Sequence, residues 1–215
     1  MASLFDFNKE ANIPTFYSAV SLLVCAFLLL YIYWMANRGK NKKHKPYWLL
    51  FSLIFAFLAI DEIASIHEVL TVIIRNSYSF SGFLYYAWVI PYVMGTVLLG
   101  FIIIPFLSSL PKNIRSLFIT AGLVFLSGAV GMELIGGMQD ELYGKLNLEY
   151  MIYYTLEEFL EMLGTAIFIY ALLTHIANSE EGAILKVKFE TSPDNAAAME
   201  KEVEPIYKIG SNTNK

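Results

Sequence analysis

The sequence predicts an all-α fold: a compact bundle of five transmembrane helices in a multipass integral membrane protein, with the N-terminus outside and the C-terminus cytoplasmic. Three observations carry that expectation. Apolar residues make up 57% of the 215-residue chain and charged residues 16%, with a mean hydropathy of +0.54. That leaves too little polar surface for a soluble domain of this length. Five segments, 16–36, 47–74, 82–107, 117–137 and 149–177, each reach the roughly 20 apolar residues that cross a bilayer at about 1.5 Å per residue. Between the first two lies the basic run "NRGKNKKHKP", with Arg38, Lys40, Lys42, Lys43 and Lys45, and short basic loops stay in the cytoplasm. The bundle occupies 1–177, and 178–215 reads as a short, flexible cytoplasmic tail, below the size of an ordinary domain.

Span 1 is not a cleaved signal peptide, because "ASLFDFNKEANIP" before it has no basic excess and its apolar core is long. Cys25 is the one cysteine. It excludes an intrachain disulfide and a redox pair, and reads as a small core or lipid-facing residue. The basic loop after span 1 sets the orientation. Lys112 and Arg115 in the 3–4 loop agree with it, whereas Asp140, Glu141 and Lys145 fall in an outer loop.

Span 2 holds the stretch that asks for an explanation, "LAIDEIASIHEVLTVII" at 58–74. No Gly or Pro interrupts 47–74, so the expectation is one continuous helix. The other option ends it near Asp61, with an amphipathic piece after it. At about 100° per residue, Asp61, Ser65 and Glu68 share a stripe, with His67 and Glu62 on either side. Such a stripe should face protein rather than lipid.

Span 3 contributes "YYAWVIPY", with Tyr85, Trp88 and Tyr92 on one face and Pro91 placed to kink the helix. In span 4, "LFITAGLVFLSGAVGMELIGG", the one charge is Glu133. Gly122, Ala129, Glu133 and Gly136 share a face whose small residues allow close helix approach. No group on that helix can neutralise Glu133. Span 5 places Tyr154, Glu158, Glu161 and Thr165 on one stripe with Glu157 at its margin. His175 closes the last turn, where a cationic ring favours the helix dipole.

Three spans of alternating direction thus put their acids at one depth, in the outer half. A bland reading makes them interfacial groups beside an aromatic belt, and suits Glu62 and Glu157. Glu133, set among glycines and apolar residues, fits that reading poorly. The sharper reading is a shared site: a divalent-metal site, mono- or dinuclear, built from Asp61, His67, Glu68, Glu133, Glu158 and Glu161 and supported by Glu62, Ser65, Trp88, Tyr92, Tyr154 and Glu157. Oxygen-rich sites suit Mn or Mg, with Fe reachable through His67. Such a site could serve redox or hydrolytic chemistry on a membrane-soluble substrate. Two other functions fit the same residues. One is a proton- or cation-coupled transporter subunit, since chains of Asp, Glu and His carry protons through membranes. The other is a structural subunit, or homo-oligomer, whose acids meet a partner's Lys or Arg. The expected location is a plasma (inner) membrane. A net charge of −4 split among loops gives no nucleic-acid footprint. Three histidines exclude a histidine-rich oxygenase, and no phosphate loop or zinc-protease pair is present.

Overall fold

The computed structural model describes residues 12–38 and 44–179, and every regular element among them is helical. The order is α1 (Ile13–Arg38), α2 (Lys45–Ala64), α3 (Ile66–Ser77), a 3₁₀ turn at Gly82–Leu84, α4 (Val89–Ser109), α5 (Lys112–Leu126), a π-helical segment Ser127–Met132, α6 (Glu133–Tyr143) and α7 (Leu148–Ala177). Five stretches are long and apolar enough to cross a membrane: α1 to Ala36, α2, α4, the continuous run Lys112–Tyr143, and α7. This is the make-up of a multipass membrane protein. Residues 39–43 of the basic run and the tail beyond Ser179 lie outside the described residues.

Local chemistry sets the ends. Asn12 Oδ1 accepts from Thr15 N and Thr15 Oγ1 at 2.9 and 3.0 Å, satisfying an amide that the first turn of α1 leaves orphaned. Asn147 does the same for α7 through Tyr150 N at 2.9 Å. Pro46 and Pro111 sit where a missing N–H costs nothing, in the first turn of α2 and just before α5. Gly144, at φ 78, ends α6 and donates to Asp140 O at 2.8 Å.

Two elements differ from the sequence expectation. The first is the helix of 47–74, which breaks at Ser65, where φ 49 and ψ 43 are left-handed. Asp61, Ser65 and Glu68 therefore do not form one stripe. The second is span 4, which runs from Lys112 to Tyr143 and passes through a π segment. In an α-helix Gly128 and Glu133 would lie about 140° apart. Bonding from i to i+5 winds the chain more slowly and brings them toward one face. The predicted face of Gly122, Ala129, Glu133 and Gly136 is rephased accordingly. Gly122 is exposed, while Gly128 and Gly136 are buried. Pro91 falls in the first turn of α4, where its missing N–H breaks no bond of the helix interior; the proline inside that helix is Pro105.

Helix packing depends on the small residues. An ideal Cβ on Gly164 would lie 2.6 Å from Phe125 N, and one on Gly128 2.7 Å from Glu157 O. The Lys112–Met132 run and α7 therefore meet backbone to backbone, the close approach that holds helices together when lipid removes the hydrophobic drive between them. α1 and α2 pack together and are joined by Ser52 Oγ donating to Ala26 O at 2.9 Å. The core sits at the end where α2 and α5 begin. There Phe106, fully buried, stands edge-on to Trp48 with centroids 4.8 Å apart, and Phe118 packs on Phe168 at 4.8 Å. Cys25 is buried in this core. Large apolar side chains such as Phe16, Leu53, Phe101 and Leu123 point outward, as a lipid-facing surface requires.

Candidate functional site: a buried carboxyl cluster

The acids gather at the opposite end, where α2 gives way to α3, α4 begins, the π segment passes into α6, and the first turns of α7 run. Asp61, in the last turn of α2, is 6% exposed. Its Oδ1 accepts from His67 N at 2.9 Å and lies 3.4 Å from His67 Nδ1. Its Oδ2 accepts from Tyr92 OH at 3.2 Å. The break at Ser65 makes this possible. It folds the start of α3 back so that the orphan amide of His67 meets a carboxylate, which a helix N-terminus favours.

His67 leads onward. Its ring lies 5.1 Å from that of Trp88, which stands edge-on to Tyr92 at 4.8 Å. Trp88 Nε1 donates to Glu133 Oε1 at 2.7 Å. The Glu133 and Glu157 carboxyls come within hydrogen-bonding reach of each other. Glu161, one turn further along α7, lies in the electrostatic reach of Glu62, Glu158, Glu133 and Asp61. Five elements, α2, α3, α4, α6 and α7, thus bring Asp61, Glu62, His67, Trp88, Tyr92, Glu133, Glu157, Glu158 and Glu161 to one region.

The roles differ from those read in the sequence. Glu157, placed at the margin of its stripe, is the direct partner of Glu133, because the π segment turns Glu133 toward that side of α7. Glu62, read as interfacial, is half-buried and lies in the electrostatic reach of Glu161. Glu68 is exposed on α3 and stands apart from the buried acids, since the left-handed residue rotates it off the stripe. Ser65 is the hinge residue itself. Tyr154 stacks on Tyr150 with centroids 6.1 Å apart. Glu133 is not without local partners: Trp88 and Glu157 bond it and Lys145 acts on it electrostatically. Among the described residues no group of three or more His, Cys, Asp or Glu side chains is arranged to hold a metal ion.

Sequence reasoning missed a second layer. Tyr86 OH donates to Asp140 Oδ2 at 2.6 Å and lies 3.4 Å from Tyr150 OH. Burial, reinforced by the bond to Asp140, pushes the Tyr86 phenol well above its ordinary value. Lys145 Nζ lies 5.7 Å from the centre of the Tyr86 ring. Glu141 Oε2 accepts from Gly82 N at 2.5 Å, clasping the 3₁₀ turn to α6. The signal for this layer was the Gly136–Gly137 pair inside a helix, a costly choice unless something must approach closely. A Cβ on Gly137 would meet Tyr86 Cδ2 at 3.0 Å.

No curated protein and no solved structure matches the chain. A family match covers residues 1–176, all five candidate spans. The chain belongs to that family, described as a domain of unknown function, DUF8692.

Proposed function

We propose that this protein is a proton- or cation-coupled membrane protein, a transporter or transporter subunit, whose working site is the carboxyl cluster of Glu133, Glu157 and Glu161 with Asp61 and His67. We place it in a plasma membrane with the N-terminus outside and the acid end toward the outer leaflet, on the strength of the basic run at 37–46. The observation that carries the function is the Glu133–Glu157 pair. Two carboxyl groups that hydrogen-bond to each other hold at least one proton between them. No Lys or Arg of the described spans lies among them; His67, and more weakly Lys145 beyond the end of α6, act on Glu133 electrostatically. Proton sharing therefore relieves the repulsion of so many acids, and a cation entering the cluster would displace that proton. Exchange of this kind is the elementary step of coupling.

One observation favours a second reading. Glu161 has Glu62, Glu158, Glu133 and Asp61 about it, an oxygen-rich set suited to a hard divalent ion such as Mn or Mg, or to Fe with His67. Small movements of these carboxylates would make them ligands. Chemistry on a membrane-soluble substrate would then become accessible.

Glu133→Gln separates the two, because the amide keeps the shape and mimics a protonated carboxyl but is a poor metal ligand. Purified wild-type protein is expected to show the infrared band of a protonated carboxyl, reduced in Glu133→Gln, with the fold intact and no stoichiometric Mn, Fe, Zn, Mg or Ca in either. Stoichiometric metal in the wild type that falls in the variant establishes the metal reading instead. Neither band nor metal, with both proteins folded, leaves the acids to a partner's Lys or Arg.

A further inference from the structure

We propose that a cavity at the end of the bundle opposite the acid cluster binds a neutral, oxygen-bearing aromatic ring, the chemistry shared by a membrane quinone headgroup and a free phenol. The site stands independently of the carboxyl cluster. Four observations carry it.

The first is place. The cavity is lined by Ala36 at the close of α1, His44 and Trp48 at the start of α2, Ser109 at the close of α4 and His175 in the last turn of α7. Where spans end, bilayer gives way to water, so a ring can reach the cavity from either phase.

The second is size and shape. The cavity measures about 230 Å³. An apolar cavity of roughly 150 Å³ takes up benzene, whereas drug-sized ligands need roughly 300 Å³ or more. A single substituted ring lies between these limits. The walls are themselves rings. Centroid to centroid, His175 lies 4.8 Å from Trp48, Trp48 4.8 Å from Phe106, and His44 6.1 Å from Phe106. Aromatic walls favour a flat partner, through offset stacking or edge-to-face contact.

The third is charge. Among the described residues that line the cavity there is no Lys, Arg, Asp or Glu. An ion held there would lose its hydration with no fixed counter-charge to replace it. That selects a neutral occupant.

The fourth is an unmade hydrogen bond. His44 Nδ1 is buried and has no partner among the described residues, a state in which proteins leave few polar atoms. An imidazole nitrogen accepts from a hydroxyl or, as N–H, donates to a carbonyl. It therefore suits a phenol and a quinone oxygen alike. Ser109 supplies a second polar atom. Its Oγ donates to Phe106 O at 2.6 Å, which commits its proton and leaves its oxygen free to accept. The aromatic walls hold the faces of the ring, and these two groups hold its oxygen.

The test uses full-length protein in nanodiscs and three probes: p-cresol, a tailless benzoquinone and a decyl-tailed benzoquinone. Quinones quench tryptophan fluorescence on contact. Trp48, in the wall, should give a saturable component above the linear background from exposed Trp34, and p-cresol should reverse it by competition. His44→Ala should weaken apparent affinity by about tenfold, the effect of one lost hydrogen bond. Ala36→Leu fills the cavity and keeps Trp48 as reporter, so the saturable component should vanish. It also decides the matter if His44→Ala folds poorly. A decyl tail that raises affinity beyond its partition into the bilayer assigns the ligand to the membrane, and equal affinity of the two quinones assigns it to the aqueous side. Purely linear quenching in folded wild type, or a saturable component unchanged in folded Ala36→Leu, overturns the site and leaves the cavity a packing void.

Discussion

Asp61 Oδ1 accepts the backbone amide of His67 at 2.9 Å across a helix break, and the whole approach of α3 to the cluster depends on that bond. Ser65 between them adopts a left-handed conformation that costs an L-residue about 1–2 kcal/mol. The bond to Asp61, the His67 ring beside it and the packing of Trp88 offset that cost.

Asp61→Ala removes the acceptor for both His67 N and Tyr92 OH and leaves two half-buried donors unmet. Destabilisation of about 2–4 kcal/mol is expected, at about 1–2 kcal/mol for each stranded donor. Asp61→Asn keeps one accepting oxygen and should lose less. Thermal unfolding in one detergent, read for both variants, checks the order; equal losses would show that charge alone matters.

Ser65→Gly frees the left-handed residue from its Cβ clash and should stabilise the fold by about 0.5–1 kcal/mol. Ser65→Val, β-branched at positive φ, should destabilise it by at least about 1 kcal/mol. If the helix were continuous in solution, Ser65→Gly would destabilise it and Ser65→Val would be close to neutral, since Gly weakens a helix interior while Ser and Val have similar helix propensities.

Gly164→Ala puts a methyl group 2.6 Å from the Phe125 amide. Backbone cannot rotate away as a side chain can, so α5 and α7 must separate, at an expected cost of about 1–3 kcal/mol. Gly122→Ala, at an exposed position with nothing within 4 Å, should be neutral or slightly stabilising. A shared melting temperature for the two variants would contradict the packing.

Alkaline pH should destabilise the protein through Tyr86. Its phenol lies above the ordinary value of about 10 because it is buried and bonded to Asp140. Below that pH native and unfolded chains both hold the proton, and stability does not vary. Above it the unfolded chain releases a proton that the native state keeps, so stability falls by up to about 1.4 kcal/mol per pH unit. Tyr86→Phe should flatten the decline between roughly pH 10 and 11, read as the difference in slope from the wild type.

Orientation is open to direct labelling. A tag after Lys215 should react only from the cytoplasmic side and one before Ala2 only from outside. The reverse pattern would put the acid cluster toward the cytoplasm and invert the direction of any coupling.

The number of long apolar helices, most of their limits and the presence of acids within three of the spans were legible in the sequence. Those features are local: hydropathy, length and the place of a charge within a span need no knowledge of neighbours. Which acids meet was settled by tertiary packing alone. Of the two deciding events, the left-handed Ser65 carries no Gly or Pro signal, and the π turn before Glu133 holds Gly128 and Gly131, which permit close approach without dictating the wider winding. Each is a local conformation of higher energy, held by contacts made far along the chain, with His67, Trp88 and α7. Each rotates the helix beyond it, which moves Glu68 out of the cluster and turns Glu133 onto Glu157. A helical wheel assumes that the phase of a helix runs unbroken, and here the phase changes at the positions where the site is built.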